Sequence, residues 1–492
     1  CLVPEIALTE QLRFFFLSHF GDQLEILHSR LSDGERFLAW KRLESGRRRV
    51  VLGPRSAVFA PVSPLGIVIM DEEHEGTYKQ ETTPRYHARE VAGWRARNEG
   101  ALFLMGTATP SLETMRGCET GQIELLRLES RIDDKAMPSV QIVDLKQTMG
   151  ELRRQVILTP KLYTEIELNL LRQEGTLLLL NRRGFSTRIQ CPKCGNTESC
   201  KSCQVSLIYH QEEDRLLCHY CNFQKKADEI CSNCWTPVLR FSGFGTEKIE
   251  SEVAKRFPSA RIARLDADTV RKKGSHEVIL RDFRDRKVDI LIGTQMIAKG
   301  FDFPHVTLVG VVLADVGLSL PDFRSSERTF QLLTQVAWRA GRGDRPGRVI
   351  IQTFSPNHPS VVCAKDHDYL GFYEHEKTER MEFGYPPYTR LINMIIRSRV
   401  EKNAYLFAKA ARDSMREAML RQDAGFSELA KFEIIGPSPL PFHKLRGHFR
   451  WHVMVKTRSD QPLMSWLAPL IAKLKKPSGV AYVLDVDPLN IL

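Results

Sequence analysis

Gly66-Ile67-Val68-Ile69-Met70-Asp71-Glu72-Glu73-His74 is a short apolar run that ends in three acids and a histidine. Apolar runs of this length, closed off by polar residues, are expected as buried strands of a parallel sheet. Ala101-Leu102-Phe103-Leu104-Met105 repeats the pattern and ends in Gly106-Thr107-Ala108-Thr109. Open α/β sheets bind ligands at the carboxyl ends of their strands, so both polar tails are expected at one crevice. Between Val50 and Gly106 such runs alternate with helical patterns, and the first unit is therefore expected to be α/β.

Further along, the polar stretch Glu129 to Arg154 is expected as a linker. A second α/β unit begins with a strand over Thr176–Leu180 and is interrupted by a cysteine-rich segment. It resumes with strands expected at Val238–Phe241, Arg261–Leu265, Asp289–Ile292, Thr307–Leu313 and Arg348–Thr353. After Tyr385-Pro386-Pro387 the order changes to strand (Leu391–Arg397), helix (Lys402–Arg421), strands (Phe432–Ile435, Trp451–Lys456), helix (Pro462–Lys475) and strand (Val480–Val486). That β-α-β-β-α-β order predicts an α+β ferredoxin-like domain. The expected partition is residues 1–128, a linker at 129–154, a second lobe at 155–365 carrying a metal module at 186–238, and a C-terminal domain at 366–492.

Eight of the eleven cysteines form four Cys-x2-Cys knuckles: Cys191/Cys194, Cys200/Cys203, Cys218/Cys221 and Cys231/Cys234. Each knuckle presents two thiolates on one turn, and two knuckles complete a tetrahedron around Zn2+, so two zinc ions per chain are expected. A disulfide framework is the competing reading; the length of the chain and the crowding of the cysteines into one stretch count against it. Only Gly195 to Ser199 separate the first two knuckles, too few residues to wrap a metal. A nested arrangement is therefore expected, with Cys200, Cys203, Cys218 and Cys221 inside and Cys191, Cys194, Cys231 and Cys234 outside; a crossed pairing stays open. Eight thiolates already complete two sites, which leaves His210 and His219 as neighbours rather than ligands.

A chain of 492 residues is expected to hold about three domains. Its formal net charge of +11 suits a nucleic-acid partner. No apolar stretch reaches the roughly 20 residues that span a bilayer, so no membrane partner and a cytoplasmic location are expected. The chain starts at Cys1 with an apolar run under way, and is expected to be a piece of a longer protein.

Acids after a strand are the arrangement with which a nucleotide hydrolase holds Mg2+ (Asp71) and activates water (Glu72). The acidic box is followed in order by Gly106-Thr107-Ala108-Thr109-Pro110, by Gly293-Thr294-Gln295-Met296-Ile297-Ala298-Lys299-Gly300-Phe301-Asp302, and by Gln335-Val336-Ala337-Trp338-Arg339-Ala340-Gly341-Arg342. Together these resemble motifs II, III, V and VI of superfamily 2 helicases, and with the cysteine octet between the halves the chain resembles the primosomal replication-restart helicases (the primosomal protein N′ family). Leu2-Val3-Pro4-Glu5-Ile6, Asn181-Arg182-Arg183-Gly184-Phe185, Gly243-Phe244-Gly245-Thr246-Glu247 and Leu484-Asp485-Val486-Asp487-Pro488 extend the resemblance over essentially the whole chain.

The resemblance implies two RecA-like lobes that bind ATP and Mg2+ between them. Asp71 and Glu72 would be catalytic, with Arg339 and Arg342 reaching the γ-phosphate. His74, Gly300, Asp302 and Gln335 would complete the nucleotide contacts. Tyr78, Lys79, Arg85 and Tyr86, in a loop that interleaves aromatics with cations, would contact DNA, as would Thr107, Thr294, Gln295 and Lys299. Implied partners are single-stranded and forked DNA, single-stranded DNA-binding protein and other primosome proteins. The implied activity is ATP-dependent 3′ to 5′ unwinding at stalled forks, together with loading of the replicative helicase.

Two departures stand out. No Gly-Lys dipeptide occurs, so the phosphate-cradling G-x-x-x-x-G-K-[ST] loop is missing and this chain alone is expected not to hydrolyse ATP. Position 338 is Trp where the family pattern has Gly. Two other readings compete: a non-catalytic, zinc-stabilised DNA-binding and assembly scaffold, and a double-stranded DNA translocase of the chromatin-remodelling type, which leaves the cysteine octet unexplained.

Overall fold

The computed structural model describes residues 1–4, 10–29, 31–128, 137–154, 156–181, 188–191, 193–210, 213–237, 239–241, 245–266, 269, 275–298, 303–341, 343, 345–420, 432–458 and 463–491. The first lobe comprises α1 (Glu10–Phe20), β1 (Leu24–Ile26), α2 (Asp33–Glu44), β2 (Val50–Leu52), β3 (Ile67–Asp71), α3 (Ala88–Glu99), β4 (Leu102–Gly106) and α4 (Leu112–Glu119). β1 pairs with β2 and β3 with β4, all parallel. The chain's first residues join the two pairs. Leu2 bridges both Gly53 and Met70 in parallel register, with Leu2 N donating to Ile69 O and Val3 N to Gly53 O.

α3 covers one face of this sheet, where Val68 and Met70 pack on Ala88 and Ala92. On the other face Ile67, Leu102 and Leu104 are exposed among the described residues, so β3 and β4 are not buried on both sides as expected. Their inward side chains alternate with outward ones, the pattern of strands covered on one face.

The second lobe is a six-stranded parallel sheet. It uses β5 (Ser139–Asp144), followed by α5 (Leu145–Leu152) and α6 (Pro160–Leu171), and then β6 (Gly175–Leu179). The metal module follows with β7 (Arg188–Gln190), β8 (Ile208–His210), β9 (Arg215–Leu217), β10 (Gln224–Lys226) and β11 (Leu239–Phe241). The lobe resumes with α7 (Thr246–Arg256), β12 (Ile262–Leu265), α8 (Ser275–Arg284), β13 (Ile290–Gly293), β14 (Val306–Val311), α9 (Asp315–Leu318), α10 (Ser325–Ala337), β15 (Arg348–Thr353) and α11 (Pro359–Lys365). The strand order is β12-β13-β6-β14-β15-β5. Every residue of β6, β13 and β14 is buried, as helices on both faces require.

Two expectations are corrected here. The stretch 129–154 is not only a linker, because β5 extends the sheet as its edge strand, paired with β15 from Ser139 to Asp144. The strand expected over Val238–Phe241 is β11, which pairs antiparallel with β7 and forms the stem of the metal module, outside the parallel sheet. A Cys-rich insertion needs its two ends brought together, and this two-stranded stem does so.

α12 (Tyr369–Glu382) leads into β16 (Arg390–Ser398), α13 (Glu401–Leu420), β17 (Phe432–Leu445), β18 (His448–Thr457), α14 (Leu463–Ala472) and β19 (Val480–Val486). The antiparallel order β17-β18-β16-β19 puts the first strand beside the last, as the ferredoxin-like reading requires.

Candidate nucleotide cleft and metal centres

β3 ends at Asp71, and the chain turns there through Glu72, whose φ of +47° lies in the left-handed region. That conformation is unfavourable for a residue with a Cβ, and such strain clusters at functional turns. Burial raises the pKa of both carboxyls above the ordinary range. At Glu72 the nearby His74 and Arg339 oppose the shift. Glu72 Oε2 is shielded from solvent without a hydrogen bond, and His74 Nδ1 lies 3.6 Å from it. An unsatisfied, half-buried carboxylate beside a second one fits a divalent cation.

His74 joins the lobes. Its Nδ1 lies 2.7 Å from Thr107 Oγ1, after β4, and its Nε2 lies 2.8 Å from Gln335 Nε2 on α10 of the second lobe. With the Gln335 amide donating, Nε2 is the acceptor and Nδ1 carries the proton toward Thr107. Thr107 Oγ1 also accepts from Thr109 N at 3.1 Å, so this hydroxyl, expected on DNA, is committed inside the protein. Arg339 follows α10 and lies near enough to Glu72 to act against the rise in its pKa. Trp338 is partly buried against the core cluster centred on the second lobe. Thr294 and Gln295 follow β13, with Gln295 Nε2 donating to Asn181 Oδ1 at 2.8 Å beyond β6, so both lie at the sheet's carboxyl edge. Lys299, Gly300, Asp302 and Arg342 lie outside the described residues.

Glu73, the third acid, has no role that the sequence alone assigns. It faces inward, accepting from Ser111 N at 2.6 Å, from Thr114 Oγ1 at 2.8 Å and from Arg89 Nη1 at 3.2 Å. The first of these acceptances fixes the start of α4, whose N-cap is Ser111. A third consecutive acid carries no signal of its own; only the Ser-x-x-Thr cap after Pro110 hints at its partner.

The aromatic and basic loop departs from expectation. Tyr78 has no exposed surface, and its hydroxyl donates to Asp71 O at 2.7 Å and Leu2 O at 3.0 Å. It is a core residue of the first lobe and cannot stack on a base. Tyr86 packs edge-on against Phe59. Lys79 Nζ donates to Val486 O at 2.7 Å, and Arg85 pairs with the buried Asp485, so both cations are engaged by β19 of the C-terminal domain. Sequence spacing shows that these residue types alternate but not which neighbour absorbs them.

The cysteines form two clusters, Cys191, Cys194, Cys231 and Cys234, and Cys200, Cys203, Cys218 and Cys221, with the four sulfurs of each within 4.8 Å of one another. The nested pairing is thus the one observed. Zinc held by four thiolates at about 2.3 Å sets sulfur–sulfur edges near 3.8 Å. Cys191–Cys234, Cys194–Cys231 and Cys200–Cys221 Sγ distances of 3.4, 3.5 and 3.7 Å fit that tetrahedron. The inner cluster is tied to the rest of the protein by its backbone. Tyr385 OH donates to Cys203 O at 2.7 Å, Ser438 Oγ to Cys218 O at 3.3 Å, and His452 Nε2 to His219 O at 2.5 Å. His219 is buried, with Nδ1 donating to Pro439 O and Nε2 facing His210, so neither histidine is a ligand.

Two lobes meeting at an acidic box, with a module of two four-cysteine clusters inserted in the second and a ferredoxin-like domain after it, define a helicase-like protein of the DNA-processing kind. Residues 381–489 match the primosomal protein N C-terminal domain family, and residues 200–226 match the PriA DNA helicase Cys-rich region domain. The chain is 41% identical over its whole length to replication restart protein PriA of Bacillus subtilis (strain 168), covering 60% of that protein. It is 40% identical to that of Treponema pallidum (strain Nichols), covering all of this chain and 72% of the relative. The chain belongs to the PriA family, and spans about three-fifths of the length of the Bacillus relative. A solved structure of the DUF1998 helicase MrfA bound to DNA aligns over 76% of this chain and 42% of that one, with 14% identity and a TM-score of 0.41. Among the described residues, no helix is long and apolar enough to cross a membrane.

Proposed function

We propose that this chain is the motor, zinc and C-terminal portion of an ATP-dependent 3′ to 5′ DNA helicase that acts in the cytoplasm at stalled replication forks and helps load the replicative helicase. The observation that carries the reading is His74, which links the turn after Asp71 and Glu72 to Thr107 in one lobe and to Gln335 in the other. A nucleotide between the lobes would thereby bias their closure, the usual way such motors couple hydrolysis to movement.

Asp71 would hold Mg2+, which supplies charge neutralisation at the phosphates. Glu72 would orient and deprotonate the attacking water, its raised pKa bringing it nearer the range of a working general base. Arg339, with Arg342 beside it in sequence, would stabilise charge on the transferred phosphoryl group. Two zinc ions would hold the module. Gly300 and Asp302 are proposed nucleotide contacts; Thr294, Gln295 and Lys299 are proposed DNA contacts. Single-stranded DNA-binding protein and other primosome proteins are proposed as partners. Family membership supports this reading over a non-catalytic scaffold. Unwinding of forked DNA by the full-length protein is the test: ATP-dependent displacement of the lagging-strand duplex from a 3′ loading strand is expected, and unwinding only from a 5′ strand, or none, would refute it.

A further inference from the structure

A buried set of charges lies where the two lobes and the C-terminal part meet, away from Asp71 and Glu72. Glu327, in the first turn of α10 and 4% exposed, accepts through Oε1 from Leu112 N, the first residue of α4, at 3.1 Å. Its Oε2 accepts from Arg380 Nη2 at 3.0 Å. Arg380, on α12 and 1% exposed, also donates to Glu376 Oε1 and to Pro386 O, both at 2.8 Å. Arg324 pairs with Glu113 of the first lobe at 2.7 Å. α12 reaches the first lobe directly at two points, through Tyr369 OH to Pro110 O at 2.9 Å and Lys377 Nζ to Glu119 at 2.5 Å. Leu112 and Met115 of α4 pack within the second lobe's core.

We propose that Glu327 and Arg380 are positioning residues for ATP turnover: they fix α10 against the first lobe so that Gln335 meets His74 and Arg339 faces Glu72. The inference rests on the nucleotide cleft proposed above. Gln335 lies eight residues along α10 from Glu327, about 12 Å. A tilt of about 5° about the Glu327 end would therefore move it by roughly 1 Å over that length, enough to break a single hydrogen bond to His74. The anchoring partner, Leu112 N, is only two residues beyond Pro110, which ends the loop that begins with Thr107. Thr107, which His74 contacts, and Leu112, which Glu327 anchors, thus lie on one short segment.

Glu327→Gln keeps the shape and an oxygen for Leu112 N, but removes one of the two carboxylate charges on Arg380, the one that ties α12 to α10; Arg380→Lys keeps a charge but loses the fork. In the full-length protein, Glu327→Gln is expected to lower kcat of DNA-stimulated ATP hydrolysis about 10- to 100-fold, with KM for ATP changed by less than about threefold. Arg380→Lys should fall between it and wild type, and zinc content should be unchanged. An unchanged kcat with a lowered melting temperature would reduce both residues to structural ion pairs and overturn the proposal. So would a KM rise that accounts for the whole loss. A second readout needs no turnover: the distance distribution between labels at the exposed Arg97 and Lys255, one on each lobe, should broaden in Glu327→Gln. An unchanged distribution also overturns it. Wild-type protein without ATP turnover would refute the nucleotide reading instead, and the distance measurement would then decide the positioning role alone.

Discussion

Cys191 and Cys234, which share a cysteine cluster, are 43 positions apart, whereas His74 and Gln335, which join the two lobes beside the acidic box, are 261 apart. The metal module assembles from consecutive turns, and a bound ion supplies the energy that holds those turns together. The cleft has no such local source of order. It exists only when α4, α10 and α12 register the lobes, and its chemistry is thereby hostage to packing elsewhere. The module is itself divided, because the inner cluster is bound through its carbonyls by Tyr385, Ser438 and His452, while the outer one sits on the β7–β11 stem with Gly195 close against Phe354 of the second lobe.

The largest effect is expected from the inner cluster. An apparent ~10 kcal/mol or more per structural zinc is typical, so Cys218→Ser should lose one zinc and strip the C-terminal domain of its footing. Cys194→Ser should also lose one zinc, but with a smaller fall in melting temperature. Metal analysis with thermal melting checks both, and equal falls would erase the distinction between the clusters. Tyr78→Phe comes next. It leaves Asp71 O and Leu2 O without their donor, a loss of about 1–3 kcal/mol for buried groups, and should leave DNA affinity unchanged. A base-stacking tyrosine would behave the other way, weakening single-strand binding by about 1–3 kcal/mol. The smallest shift is predicted for Tyr385→Phe, about 1 kcal/mol for one hydrogen bond to Cys203 O, with both zinc ions retained; loss of a zinc would mean that the tyrosine orders the cluster itself.

The same contrast explains what could be foreseen. Knuckle spacing excluded a site made from the first two knuckles, because only five residues separate Cys194 from Cys200, but the choice between nested and crossed pairing came from the fold. The fully buried, mostly apolar strands β6, β13 and β14 were legible because both faces are covered by helices. β5 was not, since Ser139-Val140-Gln141-Ile142-Val143-Asp144 alternates like an edge strand and sits in a polar stretch. Residues 1–3, which bridge the two strand pairs of the first lobe, are too few to show a period. Asp71 and Glu72 announced themselves by their place after a strand. Glu73, Glu327 and Arg380 did not, because a charged residue in a sequence is ordinarily solvated, and only the packed fold reveals that these three are buried and paired.

The central claim, that an ATP-driven motor turns on the acidic box between two lobes, is tested most directly by DNA-stimulated ATP hydrolysis of the full-length protein with and without Glu72→Gln. The amide preserves shape but cannot take a proton from water, so turnover should fall about 10²- to 10⁴-fold while ATP binding persists. Hydrolysis at the wild-type rate in Glu72→Gln would contradict the account.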